Sequence, residues 1–156
     1  MDQEKEEEMR NDREYSLCKA LAVYLRLQYP KIVYHFDPTG LGLSKAQAGR
    51  LKAIQGGRGW PDLFITEPRG NYHGLFLELK AEGTDLFKKR PNKDGTFDFA
   101  SEHIAEQDAM LERLKAKGYA ATFACSFNEA VEIIDAYLST VHNALINRKE
   151  ATGIIP

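Results

Sequence analysis

Two short apolar runs, residues 62–66 and 75–80, are separated by Glu67-Pro68-Arg69-Gly70-Asn71-Tyr72-His73-Gly74, a stretch dominated by turn formers. Apolar runs of strand length joined in this way predict a β-hairpin. Side chains on a strand alternate between its two faces, so Leu75, Leu77 and Leu79 project to one side while Glu78 and Lys80 project together to the other. Whatever fold the chain adopts must therefore place a carboxylate and an ammonium side by side on an apolar strand.

The rest of the chain supplies elements to surround that hairpin. Leu17, Leu21, Tyr24, Leu25 and Gln28 recur at helical spacing within residues 12–28, and Tyr29-Pro30 ends the pattern. Ser44 and Gln47 form a capping box for a short helix reaching Ile54, which Gly56-Gly57-Arg58-Gly59 must terminate. Ser101 caps a helix to about Lys117, Gly118 stops it, and residues 119–125 read as a third strand. Ser126 with Glu129 opens a last helix whose Val131, Ile134, Tyr137 and Leu138 face the core. This order predicts an α/β fold with a small mixed sheet flanked by helices. The third strand follows a helical crossover and is expected to run parallel to residues 75–80. Residues 81–100 turn polar, with Pro91-Asn92-Lys93-Asp94-Gly95 near the middle, and predict a long mobile loop.

At 156 residues and 43% hydrophobic content the chain suits one domain that needs neither disulfides nor structural metal. We divide it into an acidic, frayed start (1–11), a folded domain (12–140) and a tail (141–156) open to three readings: helix extension, swapped arm or disorder. Cys18 and Cys125 lack any CxxC or Cys/His spacing, which excludes a zinc-ligand motif and suits a reducing cytosol. No apolar run is long enough for a bilayer, and the charged start has no export signal. The net charge of −2 leaves no overall basic footprint for nucleic acid. Its distribution is uneven, however, with acid gathered in residues 2–8. Lys45, Arg50, Lys52 and Arg58 form one basic segment and Lys88, Lys89, Arg90 and Lys93 another, read either as solvated loops or as grips for phosphate.

Five residues break the apolar pattern. Glu78 and Lys80 fit either the solvated face of an edge strand or a site. Asp62 follows the stiff Trp60-Pro61 and would be an ordinary turn residue, yet pairing of the hairpin can bring it close enough to Glu78 to share a cation. Gln107 falls on the stripe of Ile104, Leu111 and Leu114, where a buried amide needs partners. Extending the stripe of the first helix backwards also reaches Glu14, which suits either the helix dipole or a site. His35, His73, His103 and His142 show no HxH or HxxxH spacing, and the glycine-rich segment at 56–59 lacks the Lys-Ser ending of a P-loop, so no nucleotide cofactor is expected.

The series Gly59-Trp60-Pro61-Asp62-Leu63, a turn, Glu78-Leu79-Lys80, a helical Gln107 and then Gly118-Tyr119 resembles the PD-(D/E)XK nuclease core. More narrowly it is similar to the stand-alone VRR-NUC domains of phages and bacteria. The resemblance implies a restriction-endonuclease-like fold and a Mg²⁺-dependent endodeoxyribonuclease in which Mn²⁺ substitutes. It assigns Asp62 and Glu78 as metal ligands with the backbone carbonyl of Leu79, Lys80 as the catalytic lysine, Gln107 as an auxiliary residue, and Glu14 as an N-terminal acidic residue near a second metal or a metal-bound water. Glu8 and Asp12 lie near Glu14 and compete for that place. The resemblance also implies branched DNA such as four-way junctions, a homodimer with two active sites on opposing strands, and the cytoplasm of a bacterial or phage-infected cell; the apolar Ile154-Ile155-Pro156 end is a candidate contributor to the dimer.

The chemistry suits these residue types. Hard oxygen ligands suit Mg²⁺, commonly one or two carboxylates with phosphate and water completing the shell. A lysine beside them offsets their charge, is kept protonated by it and can orient a water. Two other classes remain: a non-catalytic DNA-binding module of the same fold, and a metal-dependent hydrolase of small phosphates.

Overall fold

In the computed structural model, which describes residues 3–143, the expected hairpin forms the middle of a four-stranded mixed sheet. The elements in chain order are α1 (Gln3–Gln28), β1 (Tyr34–Phe36), a 3-10 turn (Pro38–Gly40), α2 (Lys45–Ile54), β2 (Leu63–Ile65), β3 (Leu75–Leu79), α3 (Glu102–Ala116), β4 (Ala120–Ala124) and α4 (Phe127–Ser139). Spatial order follows chain order, with β1 antiparallel to β2, β2 antiparallel to β3, and β3 parallel to β4 through α3. The α/β class and the mixed sheet are as expected. β1 is an addition, too short at three residues to leave a period-2 signature.

Alternation along the strands sorts the two faces. Leu63, Ile65, Leu75, Leu77 and Leu79 pack on one side against Leu17, Leu21 and Leu25 of α1 and Ala130, Ile134, Tyr137 and Leu138 of α4. Phe76 and Ala121 face the other way, onto Met110, Leu111 and Leu114 of α3. Ser44 and Gln47 make the full capping box expected of them. Ser101 accepts from the Ile104 N–H to start α3, and Gly118, at φ +89°, follows its C-terminus in a conformation that glycine adopts without strain. Ser126 caps α4, while Glu129 reaches back to the Cys125 N–H rather than to that of Ser126.

One boundary needs correction: helix α1 begins at Gln3 instead of Asp12, through an acidic segment rich in good helix formers. Residues 81–100, expected to form a long loop, fold back on themselves as an arm. Phe87 bridges Phe99 and stacks on it at 5.1 Å, and the Lys88 and Ala100 N–H groups donate to Asp98 O and Leu86 O. The tip is tied by Asn92, whose side chain donates to Thr96 Oγ1 at 3.1 Å and to Asp98 Oδ1 at 3.0 Å. At the C-terminal end, the Gly70 N–H donates to Val141 O and the Asn143 N–H to Gly70 O, docking residues 141–143 on the hairpin turn. The rest of the tail, with Ile154-Ile155-Pro156, lies outside the described residues. No helix among the described residues is long and apolar enough to cross a membrane.

Candidate active site

The site follows from strand register. Leu63 pairs with Leu77, and one step further along the antiparallel ladder brings Asp62 opposite Glu78. Facing residues in such a pair have Cβ atoms about 5 Å apart, close enough for two carboxylates to reach one cation. The Asp37 N–H donates to Asp62 O at 2.8 Å, so Asp37 continues the same row from the β1 side. Glu78 pairs with Phe123 across β3 and β4. The α3-facing side of the sheet thus carries a transverse acidic row, Asp37, Asp62 and Glu78.

Each acid has a different environment. Asp62 accepts the Leu79 N–H at 2.8 Å through Oδ2. Burial, helped by the negative charges of Glu14 and Asp37, pushes its carboxyl up to about 6, against the lowering pull of that N–H and of Lys80. Glu78 is only 2% exposed; burial and then the charge of Asp62 hold it well above its ordinary value. Its Oε1 accepts from Lys80 Nζ at 2.9 Å and from Gln107 Nε2 at 2.5 Å, while Oε2 is buried with no protein partner, as is Gln107 Oε1. Lys80 and Gln107 are 5% and 6% exposed, so this is a buried charged pair with an amide on it, not the solvated face of an edge strand.

The sequence-derived residues therefore separate. Asp62, Glu78, Lys80 and Gln107 come together, with Gln107 bonded to Glu78 rather than to Lys80. Leu79, whose carbonyl the resemblance assigns to the ligand set, is tied to Asp62 through its own N–H. Glu14 on α1 is near enough for its charge to raise both carboxyls, but among the described residues no three His, Cys, Asp or Glu side chains gather as a ligand cluster. Asp62 and Glu78 thus stand as a two-carboxylate pair. Asp37 was missed because its sequence context, Asp37-Pro38, reads as a turn cap. It does cap, accepting from Thr39 N–H at 2.9 Å and Gln55 Nε2 at 3.2 Å, and the cap holds it beside Asp62. Cys18 was also missed; burial and then the charges of Asp62, Glu14 and Glu78 push its thiol up to about 12.

Of the basic residues, Lys45, Arg50 and Lys52 are exposed on or beside the α2 surface. Arg58 pairs with Glu106 at 3.2 Å, and Gly59, at φ +74°, lies against α3 so closely that a Cβ there would come within 2.7 Å of Glu106 O. Lys88 pairs with Asp98 and Lys89 with Asp85 at 3.3 and 3.7 Å within the arm, while Arg90 and Lys93 stand exposed near its tip.

The donor set suits a hard divalent cation. Two carboxylates raised chiefly by burial, Glu78 also by the charge of Asp62, with one Glu78 oxygen lacking any partner, would gain from a positive charge beyond that of Lys80.

A solved structure titled "VRR_NUC domain protein" superposes on this chain with a TM-score of 0.58 at 22% identity, covering 83% of this chain and 91% of the other. The chain thus has a VRR-NUC-like fold. No protein-family model matches the sequence, and no curated protein does.

Proposed function

We propose that this protein is a metal-dependent DNA endonuclease, selective for branched DNA such as four-way junctions and acting as a homodimer. The observation that carries the nuclease reading is the buried constellation of Asp62 facing Glu78 with Lys80 on the same face of β3. The VRR-NUC-like fold supports it. Branched-DNA preference and the dimer rest on the resemblance and on the small surface that one copy offers a junction.

Asp62 and Glu78 would hold Mg²⁺ or Mn²⁺. When bound, such an ion acidifies a ligated water and offsets charge on the scissile phosphate. Lys80 holds its Nζ 2.9 Å from Glu78 Oε1 and from there can orient the attacking water and steady negative charge on the phosphoryl oxygens. Gln107 fixes the Glu78 carboxylate, leaving Oε2 for the ion. Water attack on phosphorus breaks one P–O ester bond, and the departing oxygen takes up a proton. Arg90, Lys93 and the α2 cations would contact phosphates without reading sequence.

The test is cleavage of labelled duplex, single strand, flap and four-way junction with Mg²⁺ or Mn²⁺, beside a chelator control and Asp62→Ala. Symmetrical junction cutting that needs both metal and Asp62 supports the full reading. Binding without metal-dependent cutting of any substrate would reduce the protein to a DNA-binding module, and turnover confined to mononucleotides would make it a small-phosphate hydrolase.

A further inference from the structure

Beside the acidic row lies an aromatic one. His35, Phe64 and Phe76 face one another across β1, β2 and β3, and the Phe64 and Phe76 rings stack at 4.2 Å with 9° between their planes. Tyr119 meets both phenylalanines edge-on, at 5.9 and 5.2 Å, and Trp60 tilts against Phe76 at 6.3 Å. Together with Asp37 these residues line a cleft of about 370 Å³ between the sheet and α3. Its floor is two residues along the strands from the carboxylates, since Phe64 follows Asp62 and Phe76 precedes Glu78 on the same face. Two residues of strand span about 7 Å, comparable to the reach from a nucleotide's phosphate to its own base.

We propose that this cleft receives a single unpaired nucleobase from the strand whose phosphate lies on Asp62 and Glu78. The inference rests on the nuclease reading and extends it to a determinant of substrate choice. Aromatic rings accept any base by stacking, because every base has a π-face. The Asp37 carboxylate at the acidic end gives an exocyclic amino group an acceptor. A base inside an intact duplex is paired at its edge and covered on both faces, so it cannot enter a concave aromatic pocket without being extruded. Unpaired bases occur at flaps, bulges and single-strand ends, and a base at the crossover of a four-way junction, though paired, has lost a stacking neighbour and is cheaper to extrude, so the cleft gives a physical reason for preferring those structures over linear duplex.

Trp60 is the chain's one tryptophan, so its fluorescence reports on the cleft directly. The experiment titrates the full chain, with Ca²⁺ in place of Mg²⁺ so that the carboxylates are neutralised without cutting, using three labelled duplexes: fully paired, carrying one unpaired adenine, and carrying an abasic residue at the same position. Affinity is read by anisotropy and cleft occupancy by Trp60 emission. The expected result is about tenfold tighter binding of the unpaired-adenine duplex than of the abasic one, with a change in Trp60 emission that the abasic and paired duplexes do not produce. Equal affinity and equal emission for the adenine and abasic duplexes would overturn the inference while leaving the nuclease reading intact. Absence of binding to any of the three would overturn both.

Discussion

Replacing Lys80 by Met tests the electrostatics of the site without touching an acid. The substitution keeps most of the buried stem but strips Glu78 of its ion-pair partner, leaving one hydrogen bond from Gln107 to a carboxyl that is 2% exposed. Breaking a buried pair by removing one partner costs about 3–5 kcal/mol. Glu78 can escape part of that by taking a proton, and the ordinary value from which it starts is 4.5. At about 1.36 kcal/mol per unit, protonating such a group at pH 7.5 costs about 4 kcal/mol, which caps the loss. Because the wild-type carboxyl already sits well above its ordinary value, part of this cost is present before the mutation, and the expected net destabilisation at pH 7.5 is about 2–4 kcal/mol. A carboxyl raised on folding stabilises the protein fully below its unfolded value and progressively less as pH rises through its folded one. The loss should therefore shrink to under about 1.5 kcal/mol near pH 4.5, where only the change in packing remains. Urea denaturation at both pH values, with chelator, measures this. Lys80→Met combined with Glu78→Gln should recover much of the stability at pH 7.5 and remove the pH dependence of the difference. An equal loss at both pH values, or a double variant no better than the single one, would show that the pair does not govern the stability of the site.

Three further outcomes follow from the same geometry. Asp62, raised to about 6 by burial, should cost the metal-free protein stability as pH rises from about 4 through 6; Mg²⁺ should then raise the melting temperature more at pH 8 than at pH 5 in scanning calorimetry, and Asp62→Asn should abolish most of that difference along with cutting. Gly59→Ala places a methyl group at φ +74° and within 2.7 Å of a backbone oxygen of α3, so a loss of more than about 1 kcal/mol in denaturant melts is expected, and a neutral result would mean that the 58–60 segment moves freely off α3. Arg90→Ala and Lys93→Ala should each flatten the salt dependence of DNA binding by about one unit of slope; an unchanged slope for both would place the arm away from the phosphates.

The centre was legible because its residues violate a strong local rule. Glu78 and Lys80 interrupt an alternating apolar strand, Gln107 interrupts a helical stripe, and in each case burial makes the interruption costly unless the groups find one another. Asp37 violates no such rule, since an acid before a proline is an ordinary cap, and its place in the row depends on β1 pairing that three residues cannot announce. The fold-back of the arm was hidden for a similar reason. Its polar composition suits a loop, and the bonds joining Asn92, Thr96 and Asp98 arise only after the chain has doubled back. The aromatic cleft was invisible in the sequence because Trp60 and Phe64, Phe76, and Tyr119 come from three separate segments and meet only through strand register and the position of α3.

Strand β3 is paired on both sides, antiparallel to β2 and parallel to β4. Its alternation makes the site sensitive to the parity of the chain. A single inserted or deleted residue between Leu75 and Leu79 would exchange the faces of everything beyond it, sending an acid and a lysine into the leucine core and leucines toward α3. Over evolutionary time, length changes should therefore collect in the 67–74 turn and the 81–100 arm, while β3 changes by substitution alone.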